Sequence, residues 1–171
     1  NYEPYIWKWL NTRTIEAEID GEVKSEKAVL SLMFEKYMKS CIEYCLEGIE
    51  GEVIGKPLTQ TIPQTNLNLV RQCCNMLECL LTEERAIVDE SVLEATFIFC
   101  LTWSVGAAVV QKLGVQDRDR FDKFIKAQSG YQCFEGEGLS ATQLPQDSLY
   151  EYVFDLDKRQ WFTWKSRVKP L

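Results

Sequence analysis

Histidine is absent from this chain of 171 residues, and its absence excludes several kinds of chemistry together. Histidine is the commonest general base, it activates most catalytic serines and cysteines, and it completes most zinc sites. The sequence also lacks a GxxxxGK[ST] phosphate loop, a GxGxxG dinucleotide motif and any Cys-x-x-Cys pair. We therefore predict no catalytic residues and no metal ligands in this chain.

An excess of basic side chains is lacking too. The chain has 26 acidic and 19 basic residues, which gives a net charge of −7 at pH 7. Nucleic-acid-binding proteins usually gather lysine and arginine against the phosphates, so no nucleic-acid partner is expected. The seven cysteines are an odd number, and most fall within apolar helical patterns. Buried free thiols of this kind are typical of a reducing compartment, and we expect a cytoplasmic protein.

Charge is missing from one long segment, residues 95–111. A membrane-spanning helix needs roughly 20 mostly apolar residues. This segment contains polar Thr96, Thr102 and Ser104, so we interpret it as the central helix of a folded core and expect no membrane contact. The chain also opens without an initiator methionine or a signal sequence, and we expect it to be part of a longer protein.

Apolar residues at helical spacing are plentiful, and they predict a mainly α fold. Hydrophobic residues make up 46% of the chain and aromatic residues 12%, enough for a packed core. Five helices are predicted, with a capping box at Ser91–Glu94 opening the fourth and with Thr82 and Asp89 as further cap candidates. They cover residues 4–10, residues 25–47, a segment capped by Thr65 or Asn66, residues 91–111, and a segment after Gly114. The second helix has an apolar stripe of Leu30, Phe34, Tyr37, Cys41 and Tyr44.

The last part of the chain changes to the period of a β-strand. Tyr150, Tyr152, Phe154 and Leu156 alternate with other residues, and Trp161–Trp164 reads as a returning strand. A two-stranded hairpin alone is marginally stable, so it must pack on something else. We predict a helical region at 1–128, a connecting loop at 129–148, and a hairpin with a linker at 149–171.

Five motifs in order resemble one family. They are PYIxxWLN at 4–11, PQTNLNLV at 63–70, FIFxLxWSxG at 97–106, RDRFDxF at 118–124, and the aromatic hairpin ending in WxxW at 150–164. Their order and spacing resemble the dynein heavy chain, over the small helical lid of its second AAA+ module and the start of the connection to the third. The pattern is nearer to axonemal than to cytoplasmic heavy chains.

The resemblance implies an AAA+ helical lid bundle of about five helices followed by a C-terminal β-hairpin. Dyneins are ATP-driven, minus-end-directed microtubule motors with six AAA+ modules in a ring. ATP or ADP with magnesium would be bound in the parent module, whose phosphate loop lies in a larger part that precedes the lid. The expected partners are neighbouring AAA+ modules, with intermediate chains, light chains and microtubules bound by other regions. The expected location is the cytoplasm and cytoskeleton, in the axoneme of a cilium or flagellum.

The resemblance also implies two sets of site residues. The third lid helix starts with a sensor element near the nucleotide, which matches Asn68, with Arg71 one turn later and Asn66 before it. The alternative is that Thr65 and Asn66 only cap this helix, as such residues do in many proteins. We expect Trp161, Trp164 and Tyr152 to pack between modules, so that the hairpin is a joint rather than part of the helical core.

A different class of function stays open from the residues alone. Tyr5, Trp7 and Trp9 lie close together in the first helix, and exposed aromatic patches mark protein interfaces. The chain would then be a free-standing helical protein-interaction module.

Overall fold

The computed structural model describes residues 1–46, 65–109 and 117–168. Its helices are α1 (Glu3–Leu10), α2 (Glu26–Met33), a π-helical turn (Phe34–Met38), α3 (Lys39–Leu46), α4 (Asn66–Leu80), α5 (Glu90–Trp103), α6 (Asp117–Ser129) and α7 (Trp164–Arg167), with 3₁₀ turns at Gly106–Ala108 and Leu149–Glu151. Its strands are β1 (Glu16–Ile19), β2 (Glu22–Ser25), β3 (Cys133–Phe134), β4 (Leu139–Ser140), β5 (Leu144–Pro145), β6 (Tyr152–Asp155) and β7 (Gln160–Thr163). The predicted class, a helical bundle followed by a C-terminal hairpin, is confirmed.

Helix α5 is the centre of the fold. Helices α2 and α4, strand β6 and the 3₁₀ turn at Leu149–Glu151 all pack against it. Its side chains from Val92 to Thr102 are all buried. The segment Glu90–Ala108 is long and apolar enough to cross a membrane by length and composition, but 78% of its most apolar window is buried inside the protein. That burial fits the interpretation as a core helix.

Side-chain caps fix the starts of α2 and α5. The Ser25 hydroxyl accepts a hydrogen bond from the backbone N–H of Ala28, as predicted for this cap. Helix α5 begins two residues earlier than the capping box predicts, because Asp89 is its cap and accepts from the N–H of Val92 at 3.1 Å. The predicted capping box at Ser91–Glu94 is therefore wrong. Ser91 already lies inside the helix and donates to Asp89 at 2.7 Å, and Glu94 points into the core, 3% exposed.

The predicted long second helix runs through α2, the π-helical turn and α3. Its stripe from Leu30 to Tyr44 is buried as expected. The π-helical turn at Phe34–Met38, which we call the wide turn, was not predicted. The predicted helix end at Gly48 and the loop at 51–64 lie outside the described residues.

A short hairpin, β1–β2, lies between α1 and α2. The sequence predicts only a turn at Asp20-Gly21, and both residues do have positive φ, 52° and 81°. The sequence does not predict the strands on either side of this turn, because one face of Glu16–Ile19 is exposed and the other is only half-buried. That pattern gives little of the apolar alternation by which strands are recognised.

The predicted C-terminal hairpin is confirmed, with Phe154 opposite Trp161 in antiparallel β6–β7. Strand β7 also pairs with β4, so the sheet has the order β4-β7-β6. The predicted connecting loop at 129–148 thus contains β3, β4 and β5, and β3 pairs in parallel with β5. Trp164, expected in the returning strand, begins α7 instead. Thr163, the last residue of β7, caps this helix by accepting a hydrogen bond from the N–H of Ser166.

One core extends through the helices and the C-terminal sheet. Its buried residues include Leu10, Leu30 and Phe97 from the helices together with Phe154 and Trp161 from the sheet. The buried face of the hairpin thus packs on α5 within this chain. The division at residues 128 and 149 stays a prediction, and no break in the core coincides with it.

Candidate functional site

The start of α4 is the place where the resemblance implies a contact with nucleotide. Thr65 precedes the helix in an extended conformation, and its hydroxyl accepts a hydrogen bond from the backbone N–H of Asn68 at 3.1 Å. Thr65 rather than Asn66 is therefore the cap. Asn66 is the first helical residue and is half-buried.

Asn68 and Arg71 lie on one side of α4, since residues three apart are neighbours on a helix surface. Both side chains are exposed. Helix α1 lies alongside α4, and the Arg71 guanidinium is 6.0 Å from the centre of the Tyr5 ring. Asn66 points to another side, because residues two apart do not face each other. The structure thus brings together Asn68, Arg71 and Tyr5, and it separates Asn66 from them.

This arrangement is suited to binding and not to catalysis. The Arg71 guanidinium is always charged and presents a planar fork of donors, which matches a phosphate or a carboxylate. The Asn68 amide both donates and accepts hydrogen bonds. Together the two groups can hold an anion or a polar ligand.

The three residues expected to pack between modules occupy different surroundings. Trp161 has 0% exposure and Tyr152 has 2%, so both belong to the core of this chain. Trp164 is 41% exposed and lies 6.0 Å from Phe99 and 6.1 Å from Trp103, measured between ring centres. Of the three predicted residues, only Trp164 keeps a surface that a neighbouring module could contact.

A buried carboxylate, Glu94, is the polar feature that sequence reasoning missed. It accepts hydrogen bonds from Lys36 at 2.7 Å, from Tyr37 at 2.5 Å and from Tyr131 at 2.8 Å. Burial raises the pKa of the Tyr37 and Tyr131 hydroxyls, and their hydrogen bonds to Glu94 raise it further. One signal could have revealed the site: Glu94 is an acidic residue within an otherwise apolar run, and buried charges require partners.

Five of the seven cysteines are buried, while Cys79 and Cys133 are exposed. Burial raises the pKa of the Cys45 and Cys73 thiols to about 12. Such thiols stay protonated at neutral pH and react poorly, because the thiolate is the nucleophile and the metal ligand. Among the described residues, no group of three or more cysteines and carboxylates is arranged to hold a metal ion.

Comparison with known proteins identifies the family. The family described as "Dynein heavy chain AAA lid domain" matches residues 30–166. The chain belongs to this dynein lid family. Four of the five motifs used above lie within the matched range, and the first motif, at 4–11, lies before it.

Individual dynein heavy chains match almost the whole chain. The chain is 44% identical over 169 residues to the Dynein-1-alpha heavy chain of the flagellar inner arm I1 complex of Chlamydomonas reinhardtii, a match to 99% of this chain and 4% of that protein. It is 34% identical to human Dynein axonemal heavy chain 10, over 98% of this chain and 4% of that protein. It is 24% identical to the ciliary Dynein beta chain of Tripneustes gratilla, over 98% of this chain and 3% of that protein. The dynein lid thus spans a small fraction of the length of these relatives.

Proposed function

We propose that this chain is the helical lid of the second AAA+ module of an axonemal dynein heavy chain. The intact protein would be an ATP-driven, minus-end-directed microtubule motor of a cilium or flagellum. Membership of the dynein lid family supports the motor context. The relatives described above are named as axonemal, flagellar or ciliary heavy chains, which supports the axoneme as the location.

The lid covers the nucleotide of its module through the start of α4. The observation behind this assignment is that Asn68 and Arg71 are exposed on one side of a capped helix start, next to Tyr5. A helix start also favours negative charge, because its first backbone N–H groups point outward. The larger part of the module would hold ATP or ADP with magnesium, and this chain would contribute the Arg71 guanidinium and the Asn68 amide.

The proposed role of the lid is to contact nucleotide and to transmit conformational change to the neighbouring modules. Closure of the lid on nucleotide would move the whole bundle, because α4 and the C-terminal sheet both pack on α5. Of the three residues predicted to pack between modules, Trp164 is exposed beside α5, so it is the one that would contact a neighbouring module. The other proposed partners, namely intermediate chains, light chains and microtubules, would be bound by other regions of the heavy chain.

Nucleotide retention by the intact heavy chain tests this proposal. We expect Asn68→Ala or Arg71→Ala to weaken retention at the second module by about 1.5–3 kcal/mol, the value of a hydrogen bond to a charged group. That corresponds to a loss of about tenfold to a hundredfold in affinity. Asn75→Ala is the matched control, since Asn75 is an exposed asparagine about two turns beyond Asn68 on the same helix. Unchanged nucleotide occupancy in both test variants would leave Asn68 and Arg71 with surface roles only.

The alternative, a free-standing interaction module, receives less support. Trp9 is 8% exposed and belongs to the core, while Trp7 is 53% exposed. Tyr5 lies against Arg71 of α4. The three aromatic residues of α1 therefore do not form one exposed patch.

A further inference from the structure

The wide turn is built into the helix that runs from α2 to α3. A π-helical turn bonds each N–H to the carbonyl five residues earlier and so adds roughly one residue to the turn. Buried pairs recur every four residues across it, at Met33/Phe34, Tyr37/Met38 and Cys41/Ile42. An α-helix with 3.6 residues per turn would drift from that spacing by roughly 80° over two turns. The extra residue therefore keeps the buried stripe facing the core.

Lys36 joins the wide turn to the end of α6. Its ammonium group donates to Glu94 at 2.7 Å and to the carbonyl of Ser129 at 3.1 Å. Its own carbonyl accepts a hydrogen bond from the Gln128 side chain at 2.9 Å. Since a wide turn disturbs the regular bonding of helix carbonyls, the Gln128 amide supplies a donor where the helix backbone is irregular.

Glu94 completes this connection from α5. One of its oxygens accepts from Lys36 and Tyr37, and the other accepts from Tyr131 in the segment after α6. We call Lys36, Tyr37, Glu94, Gln128 and Tyr131 the Glu94 clamp. The clamp joins the wide turn to α5, to the end of α6 and to the chain that leads into the C-terminal strands.

The other face of the wide turn borders α1. Phe34 and Met38 line a groove of about 320 Å³ together with Ile6 and Trp7 of α1. Phe34 also packs edge-on against Trp9, with 6.0 Å between the ring centres. The wide turn thus lies between α1 on one side and the end of α6 on the other.

We propose that the wide turn is a conformational relay held in place by the Glu94 clamp. When the clamp is intact, the extra residue stays at Phe34–Met38. When the clamp opens, the backbone there returns to α-helical bonding, and Phe34 and Met38 change position against α1. A displacement of the end of α6 is in this way passed to the groove. The proposal does not involve the start of α4, so it stands apart from the proposed contact with nucleotide.

Nuclear magnetic resonance on the isotopically labelled chain tests the relay with two readouts. Couplings across hydrogen bonds show whether the amides of the wide turn bond five or four residues back. A fluorine label on tryptophan, with the Trp7 signal assigned through Trp7→Phe, reports on the groove. We expect Glu94→Gln and the double variant Tyr131→Phe/Gln128→Ala to lose the five-residue bonds and to shift the Trp7 signal.

Matched controls separate the clamp from a general loss of side chains. Tyr152→Phe removes a tyrosine hydroxyl that donates to the carbonyl of Gly136, and Gln72→Ala removes an exposed glutamine on α4. Both should leave the two readouts unchanged. Two results would overturn the proposal. A folded clamp variant could keep the hydrogen bonds to carbonyls five residues earlier, or it could lose these bonds while the Trp7 signal stays unshifted. If Glu94→Gln does not fold, the test depends on the double variant Tyr131→Phe/Gln128→Ala. In that variant the Glu94 carboxylate keeps its hydrogen bonds from Lys36 and Tyr37, so it is not left buried without partners.

Discussion

At the scale of single residues, Gly106 lies where two aromatic side chains meet the backbone. A Cβ atom there would be 2.6 Å from Phe121 and 2.8 Å from the Tyr150 hydroxyl, which itself donates to the Gly106 carbonyl at 2.6 Å. We expect Gly106→Ala to lower the free energy of unfolding by about 1–3 kcal/mol, because a packed core tolerates extra atoms poorly. Urea denaturation measures the loss, with Ala107→Gly in the same turn as the comparison. A Gly106→Ala variant as stable as the parent would mean that the neighbouring rings move aside freely.

Arg13 and Glu26 form an ion pair 2.6 Å long, with the Glu26 side chain 0% and the Arg13 side chain 10% exposed. Arg13 also donates to the carbonyl of Leu81 at the end of α4. Arg13→Ala would leave a buried charge unpaired, so we expect a loss of about 3–5 kcal/mol in stability. Arg85→Ala is the control, since its 3.6 Å pair with a 79% exposed Asp157 is worth at most about 1 kcal/mol. Equal losses in chemical denaturation would contradict this account.

The seven thiols should differ sharply in reactivity. Cys79 and Cys133 are exposed and the other five cysteines are buried, and burial raises the pKa of the Cys41 and Cys100 thiols well above the usual value. We expect two thiols to react rapidly with a disulfide reagent at neutral pH and all seven to react in denaturant. The Cys79→Ser/Cys133→Ser variant should lose the rapid phase. A third fast thiol in the native protein would show that the core opens readily.

At the scale of elements, the hairpin tests how far the core extends. The sequence predicts that the hairpin at 149–164 is a joint between modules, whereas Trp161 is buried beside Phe154 in the core that α5 shares. We expect Trp161→Ala to cost about 3–5 kcal/mol and to raise hydrogen exchange in α5 as well as in β6 and β7. Trp164→Ala, at a 41% exposed position, should lower the free energy of unfolding by less than Trp161→Ala does. Faster exchange confined to the hairpin would favour a separate joint.

Some features of the helices and strands could be predicted from the sequence and others could not. The caps at Ser25 and Thr65 and the alternation from Tyr150 to Leu156 depend on neighbouring residues, so they could be read directly. The contacts of the wide turn and the partners of Glu94 could not, because they involve α6 and Tyr131, which come from distant parts of the chain. The candidate site was located only by resemblance. Arg71 and Asn68 are ordinary residues of a polar helix face, and Tyr5 joined them only in the folded chain.

At the scale of the whole molecule, the dynein lid on its own should hydrolyse no ATP. Its sequence has neither a phosphate loop nor a histidine, and phosphoryl transfer depends on bound magnesium and on positioned charges around the phosphates. We expect the purified chain to release no phosphate from ATP above the level of an Arg71→Ala sample prepared in parallel. Release that follows the protein through purification and exceeds that level would refute the expectation.

The position of α5 at the centre has a consequence for synthesis on the ribosome. The elements that pack on α5 precede and follow it in the chain. Helices α2 and α4 are synthesised before α5, and the 3₁₀ turn at Leu149–Glu151 and β6 are synthesised after it. Translation proceeds at about 5–20 residues per second, so one apolar side of α5 remains uncovered for a time on the order of seconds. During that time a segment with the length and composition of a membrane span is exposed outside the ribosome. Chaperones that bind nascent apolar helices would therefore meet this lid before its C-terminal sheet exists.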